Sequence, residues 1–183
     1  MRAVQANPNE PATHTMLGVG YYWTGRVDLS LEEYRKALDM DPRSAQVWLL
    51  IGISLAWKGE DKGAYEAFKR AAELDGQRAD VQMNLGSIEE SLGLMDEAME
   101  HTRKAVVLDG KNPLYHYQLG LLYRRLGRDS DCIDSLQKAS LNKISSALGV
   151  SLADLSEDKN NLEVAESRIE FAVLKSQLKD LTK

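Results

Sequence analysis

The sequence predicts an all-α solenoid of paired helices, and three observations predict it. Glycines recur at one fixed interval, at Gly18, Gly52, Gly86 and Gly120 and again, seven positions later each time, at Gly25, Gly59, Gly93 and Gly127. Small and bulky residues keep the same frame: Ser30, Ala64, Ala98 and Cys132; Ala37, Ala71, Ala105 and Ala139; Tyr34, Phe68, Thr102 and Leu136. Thr102 is the one lapse in the bulky series. Third, apolar residues recur at helical spacing within each unit, as in Trp48, Ile51 and Leu55 or Phe68, Ala71 and Ala72.

Composition agrees. The 183-residue chain is 43% hydrophobic and 28% charged, which fits a folded protein rather than a disordered one. No uncharged apolar run reaches membrane-spanning length, so membrane insertion is not expected. A net charge of -5 argues against a basic nucleic-acid surface. The single cysteine, Cys132, excludes an internal disulfide framework and a multi-cysteine zinc site. The N-terminal residues contain no apolar run of signal-peptide length. The compartment is not encoded in these features; a cytoplasmic location is favoured.

The elements follow in order. Ala3 and Pro8 lie one full interval before Ala37 and Pro42, so residues 1–10 read as the end of a partial upstream repeat. The chain is then expected to be a piece of a longer array, or to start with a helix packed on the first full unit. Full units are expected at 11–44, 45–78, 79–112 and 113–146. In each, the first glycine sits inside helix A, where it costs about 1 kcal/mol relative to alanine. Close approach of the neighbouring helix explains that cost. The second glycine ends helix A, where a left-handed backbone is open to glycine. Helix B follows and stops at Asp41-Pro42, because proline lacks an N–H and restricts the residue before it. Gly76 and Gly110 close the next units.

In the fourth unit helix B is expected to run on through Leu141, Ile144, Ala147 and Leu148 to Gly149. Residues 147–183 are read as a helical C-terminal cap. A last helix near 159–182 carries one stripe of Leu162, Ala165, Ile169, Ala172 and Val173 and a second of Phe171, Leu174, Leu178 and Leu181. It is expected to pack on the fourth unit, to enter the groove, or to pair with another copy. A lapse at Ser176 argues against a long coiled coil.

The residues of these units resemble the tetratricopeptide repeat, a pattern of Trp, Leu-Gly, Tyr, Ala, Phe, Ala and Pro that recurs at the same interval. The second unit is similar at Trp48, Ile51-Gly52, Leu55, Ala64, Phe68 and Ala71; the first at Leu17-Gly18, Tyr21, Tyr34, Ala37 and Pro42. The third carries Leu85-Gly86, Ala98 and Ala105, and the fourth Leu119-Gly120, Tyr123 and Ala139. The resemblance covers about three quarters of the chain. It implies a right-handed superhelix in which each helix A lines a concave face.

On that implication, unit one presents Ala12, Thr15, Met16, Val19, Tyr22 and Trp23 to the groove, and unit two Gln46, Leu49, Leu50, Ile53, Ala56 and Trp57. Unit three presents Asp80, Met83, Asn84, Ser87, Glu90 and Ser91, and unit four Leu114, Tyr117, Gln118, Leu121, Arg124 and Arg125. An apolar, aromatic stretch of this kind marks an interface, and Trp, Tyr and Arg are favoured at binding hot spots. The expected partner-binding residues are Val19, Tyr22, Trp23, Leu49, Leu50, Ile53, Trp57, Asn84, Tyr117, Leu121, Arg124 and Arg125. The apolar anchors of a peptide or partner helix would meet the first two units, and an acidic part would meet Arg124 and Arg125. Some relatives hold the acidic tails of chaperones in a clamp of lysine, asparagine and arginine. The equivalent positions here are Thr15, Val19, Leu50, Asp80 and Asn84, of which only Asn84 fits, so that reading is disfavoured.

No chemistry competes with binding. His14 and His116 stand where the family has tryptophan, and neither joins a nucleophile or metal set. No metalloprotease, phosphate-loop, nucleophile-elbow or calcium-loop motif occurs. Cys132 falls where a small buried residue is needed, so it reads as a structural thiol. The stretch 141–155 resembles the close of a phage-repressor helix-turn-helix, but no recognition helix precedes it and the phosphate-binding cations are lacking. A non-catalytic interaction module or scaffold without cofactor or metal is therefore the leading reading. Self-assembly through the groove and last helix is the alternative. A regulatory domain of a larger DNA-binding or signalling protein is the third.

Overall fold

A computed structural model describes residues 10–148 of the chain. All but the last residue of the partial upstream repeat expected at 1–10, and residues 149–183 of the C-terminal cap with its last helix near 159–182, lie outside those residues. Eight helices occupy the described residues: α1 Pro11–Trp23, α2 Val27–Met40, α3 Ala45–Trp57, α4 Asp61–Leu74, α5 Ala79–Ser91, α6 Met95–Leu108, α7 Pro113–Arg125 and α8 Asp129–Leu148. Two compact units divide at Asp109 and Gly110. In the first, α1–α2, α3–α4 and α5–α6 form three antiparallel hairpins, with α2 against α3 and α4 against α5. In the second, α7 and α8 form one hairpin, and α8 continues through Leu148 as its apolar residues predict.

Each hairpin turn is made by the second glycine series. Gly25, Gly59, Gly93 and Gly127 have φ of 75°, 75°, 80° and 67°, the left-handed region that glycine enters without a Cβ clash. The amide after each glycine reaches back to close helix A, as from Arg26 N to Tyr21 O at 2.9 Å and Glu60 N to Leu55 O at 3.0 Å. A Cβ on Gly59 would meet nothing within 4 Å, so only backbone strain opposes a side chain there. Gly59→Ala should therefore destabilise by about 1–2 kcal/mol, read from denaturant midpoints. An unchanged midpoint would show that the turn tolerates another backbone.

The first glycine series lies under the bulky series. Cβ atoms built on Gly18, Gly52, Gly86 and Gly120 would come within 2.4, 2.4, 2.6 and 2.9 Å of Tyr34, Phe68, Thr102 and Leu136. The close approach expected from the sequence is thus to a side chain of the paired helix B. At Gly86, where that side chain is Thr102, backbone is also close, with Ala98 O and Thr102 N at 3.1 Å, and at Gly120 Cys132 O lies at 3.4 Å.

Two clusters fill the first unit. Val27, Leu31, Tyr34, Ala37, Val47, Ile51 and Ala67 form one, against which Trp48 packs. Leu49, Ala64, Phe68, Ala71, Val81, Leu85 and Ile88 form the other. The second unit buries Tyr115, Leu119, Leu122, Tyr123, Cys132 and Ala139.

Helix B stops by a device that the proline reading found at one position. Asp41, Asp75 and Asp109 end α2, α4 and α6 with the same non-helical backbone, ψ 86°, 80° and 74°, although only Asp41 precedes proline. Asp41 Oδ1 accepts from Arg43 N at 3.2 Å and Asp75 Oδ1 from Gln77 N at 3.3 Å, turns that short aspartate side chains favour. The side chain at the family's tryptophan position then ties the following carbonyl. Trp48 Nε1 donates to Pro42 O at 3.3 Å, Gln82 Nε2 to Gly76 O at 3.1 Å, and His116 Nε2 bonds Gly110 O at 2.9 Å.

Candidate functional site

The apolar groove lies in the first unit, between α1 and α3. A cavity of about 300 Å³ opens there, lined by Val19, Tyr22, Trp23, Tyr34, Leu50, Ile53 and Ser54. Five of these are residues picked out from the sequence. The helical repeat explains their meeting: Val19, Tyr22 and Trp23 share one face of α1, and Leu50 and Ile53 share one face of α3. Trp23 and Trp57 are 80% and 72% exposed, far more than a packing role allows. Tyr22 stands between them, its ring 5.8 Å from Trp23 and 6.5 Å from Trp57, both edge-on. That spacing and angle suit aromatic attraction and hold the rim in place.

The floor is polar at two points that the sequence did not disclose. Tyr34 is 1% exposed yet lines the cavity, and burial pushes its phenol up to about 12, so it stays protonated. Ser54 lies beside it, its Oγ 3.3 Å from Ser30 Oγ. Ser30 Oγ donates to Val27 O at 2.9 Å, which makes Ser54 the donor of that pair. The groove therefore offers an apolar wall with a hydroxyl at its base.

Other expected groove residues are placed differently. Leu49 is a correction: it is 3% exposed and packs with Phe68, Val81 and Leu85. The helical turn of α3 that presents Leu50 to the cavity points its neighbour Leu49 towards α5, which covers it. Asn84 is half-buried and donates Nδ2 to Asp80 O at 2.8 Å, so its amide serves its own helix. Asp80 is held by Arg78 through contacts of 3.0 and 2.6 Å, and that guanidinium holds its carboxyl below the usual range. Tyr117, Leu121, Arg124 and Arg125 belong to the second unit, where Tyr117, Arg124 and Arg125 are exposed and Leu121 is half-buried.

The remaining titratable groups form small ion-pair clusters, as where Glu33 bonds both His14 and Lys36 and Lys58 bonds both Asp28 and Glu60. His14 Nδ1 lies 2.6 Å from Glu33 Oε2, and Cys132 is a buried free thiol. Among the described residues, no three His, Cys, Asp or Glu side chains gather to hold a metal, and no helix is long and apolar enough to cross a membrane. Glu89 is 1% exposed and bonds His101 Nδ1 at 2.7 Å. Burial pushes its carboxyl up from 4.5, and the His101 bond draws it partly back. The folded state then holds a proton that the unfolded chain has released, so this contribution is present below pH 4.5 and lost as pH rises through the folded value. Glu89→Gln should gain stability relative to wild type as pH rises from acid to neutral, measured by thermal melts. A difference flat across that range would count against the assignment.

Comparison with known proteins places this geometry. The family described as tetratricopeptide repeat matches residues 15–79 and 62–113. A crystal structure of MamA superimposes with a TM-score of 0.71 at 26% identity, covering 78% of this chain and 84% of that one. The MamA 41-end chain from Desulfovibrio magneticus RS-1 gives 0.69 at 20% identity over 75% of this chain and 78% of its own. A chain of the APC/C hetero-tetramer Cut9-Hcn1 gives 0.70 at 24% identity, with 76% of this chain matched to 26% of that one. The last two likenesses show the fold alone. No curated protein matches the sequence.

Proposed function

The chain belongs to the tetratricopeptide repeat family, and from that premise we propose that it is a non-catalytic protein-binding scaffold whose recognition surface is the α1–α3 groove. One observation carries the reading: an apolar cavity of about 300 Å³ flanked by two tryptophans that are 80% and 72% exposed. Exposed indoles gain nothing for the fold and are costly to leave in water unless a partner covers them. The partner that fits is a peptide or helix with apolar anchors. One anchor enters between Tyr22, Leu50 and Ile53, and a hydrogen-bonding tip on it would meet Tyr34 and Ser54. An aromatic side chain with a polar end answers both features.

Peptide-array binding tests the proposal. Peptides with Tyr, Trp or Leu at helical spacing should bind the wild type and lose binding to Ile53→Lys. Equal binding to both proteins would overturn it. Light scattering across concentration separates peptide recognition from self-assembly. A protein that stays monomeric leaves the groove to a different chain. A concentration-dependent dimer abolished by Ile53→Lys would make a second copy the occupant.

A further inference from the structure

A second cavity, also about 300 Å³, lies in the first unit among α4, α5 and α6. Gln82, Glu89, Lys69, His101 and Lys104 line it, with Tyr65, Ala72 and Leu85 as its apolar wall. The repeat register accounts for its presence. Gln82 stands one repeat after Trp48, and the two side chains tie equivalent carbonyls. The residues one repeat before Tyr65, Ala72, Leu85 and Glu89 are Leu31, Leu38, Ile51 and Leu55. Those four belong to the cluster around Trp48 or pack against it. The cavity is thus the space that an indole fills one repeat earlier and that the slimmer glutamine leaves open.

Two features distinguish it from a packing defect. Gln82 is 1% exposed, and its Oε1 has no hydrogen-bond donor among the described residues. Turning the amide over would break the Nε2 bond to Gly76 O, so the acceptor stays unpaired. Lys69 and Lys104 also have no ion-pair partner among the described residues. The neighbouring carboxylates are engaged elsewhere, Glu73 by Arg70 and Glu89 by His101, each at 2.7 Å. The cavity therefore combines an apolar wall of Tyr65, Ala72 and Leu85, an acceptor without a donor, and two cations without an anion.

We propose that this cavity binds an aromatic carboxylate whose ring carries an N–H or O–H donor. The ring takes the place that Trp48 takes in its own repeat, it displaces the side chains that cover Gln82 Oε1 so that the ring donor serves that oxygen, and the carboxylate meets Lys69 and Lys104. A free aromatic acid and the C-terminal tryptophan of a peptide share this chemistry.

Calorimetry with indole-3-acetate and with the peptide Gly-Gly-Trp separates the two sources. Binding of either supports the site, and the stronger of the two names the source. Lys69→Ala combined with Lys104→Ala alters exposed side chains only and should weaken binding by about a hundredfold, the loss of two charge-assisted hydrogen bonds at about tenfold each. Gln82→Trp should fill the cavity, abolish binding and raise the melting temperature. Trp57→Ala, in the α1–α3 groove, should leave this binding unchanged, so failure here and failure of the groove proposal are separate results. No heat with either probe at millimolar concentration, or equal binding to wild type and the lysine double variant, would overturn the proposal.

Discussion

Gly52→Ala is expected to destabilise the protein by about 1–3 kcal/mol, although alanine is the better helix former. The new Cβ would lie 2.4 Å from Phe68 Cδ1 and Cε1, a distance that no unstrained contact allows. Phe68 is 2% exposed inside the second cluster, so its ring cannot swing into solvent. Phe68→Ala alone should cost about 3–5 kcal/mol through lost burial and the cavity left behind. Together the two changes should cost clearly less than their sum, because the methyl then occupies space the ring has vacated. The third repeat gives the contrast. There a Cβ on Gly86 meets Ala98 O and Thr102 N at 3.1 Å as well as the Thr102 side chain. Trimming Thr102 removes the Oγ1 contact at 2.6 Å but leaves both backbone atoms in place, so Gly86→Ala with Thr102→Ala should couple more weakly than the Gly52 and Phe68 pair. Equilibrium denaturation of both double-mutant cycles reads the difference. Equal coupling in the two repeats would refute the ring-on-glycine account.

These glycines explain why the fold was legible. A conformational or steric demand that returns in every repeat leaves a mark in sequence, whether it is a φ near 75° at Gly25 or a ring pressed on Gly52. The groove was legible in part for the same reason, since Val19, Tyr22, Trp23, Leu50 and Ile53 share helical faces and line one cavity. Leu49 was not. Its position on α3 is set by helical period, but its burial is set by α5, a helix of the next repeat that covers that edge. Tyr34 shows the converse. Its place in the bulky series gives packing, whereas its hydroxyl at the cavity floor depends on how α1 and α3 stand above it. Gln82 was not singled out in the sequence, although it stands one repeat after Trp48. Only the fold shows that this side chain leaves a cavity and an unpaired oxygen.

Trp57→Ala should separate binding from folding. At 72% exposure the side chain contributes little to the core, so the denaturation midpoint should barely move. Trp48→Ala is the reference, because Trp48 packs against the first cluster and bonds Pro42 O, and its loss should cost about 3–5 kcal/mol. Binding should rank the two in the opposite way. If the α1–α3 groove takes an apolar anchor, Trp57→Ala removes a rim residue that a partner would desolvate, and affinity should fall by roughly thirtyfold, a hot-spot loss of about 2 kcal/mol. Tyr22 links the rim, lying within 6.5 Å of both Trp23 and Trp57. Tyr22→Ala should therefore weaken binding by more than its own contact explains, because both indoles lose the ring that fixes their angle. The measurement is peptide affinity by fluorescence anisotropy beside a denaturant melt for each variant. Affinity unchanged in Trp57→Ala and Tyr22→Ala, with folding intact, would move the recognition surface away from the groove.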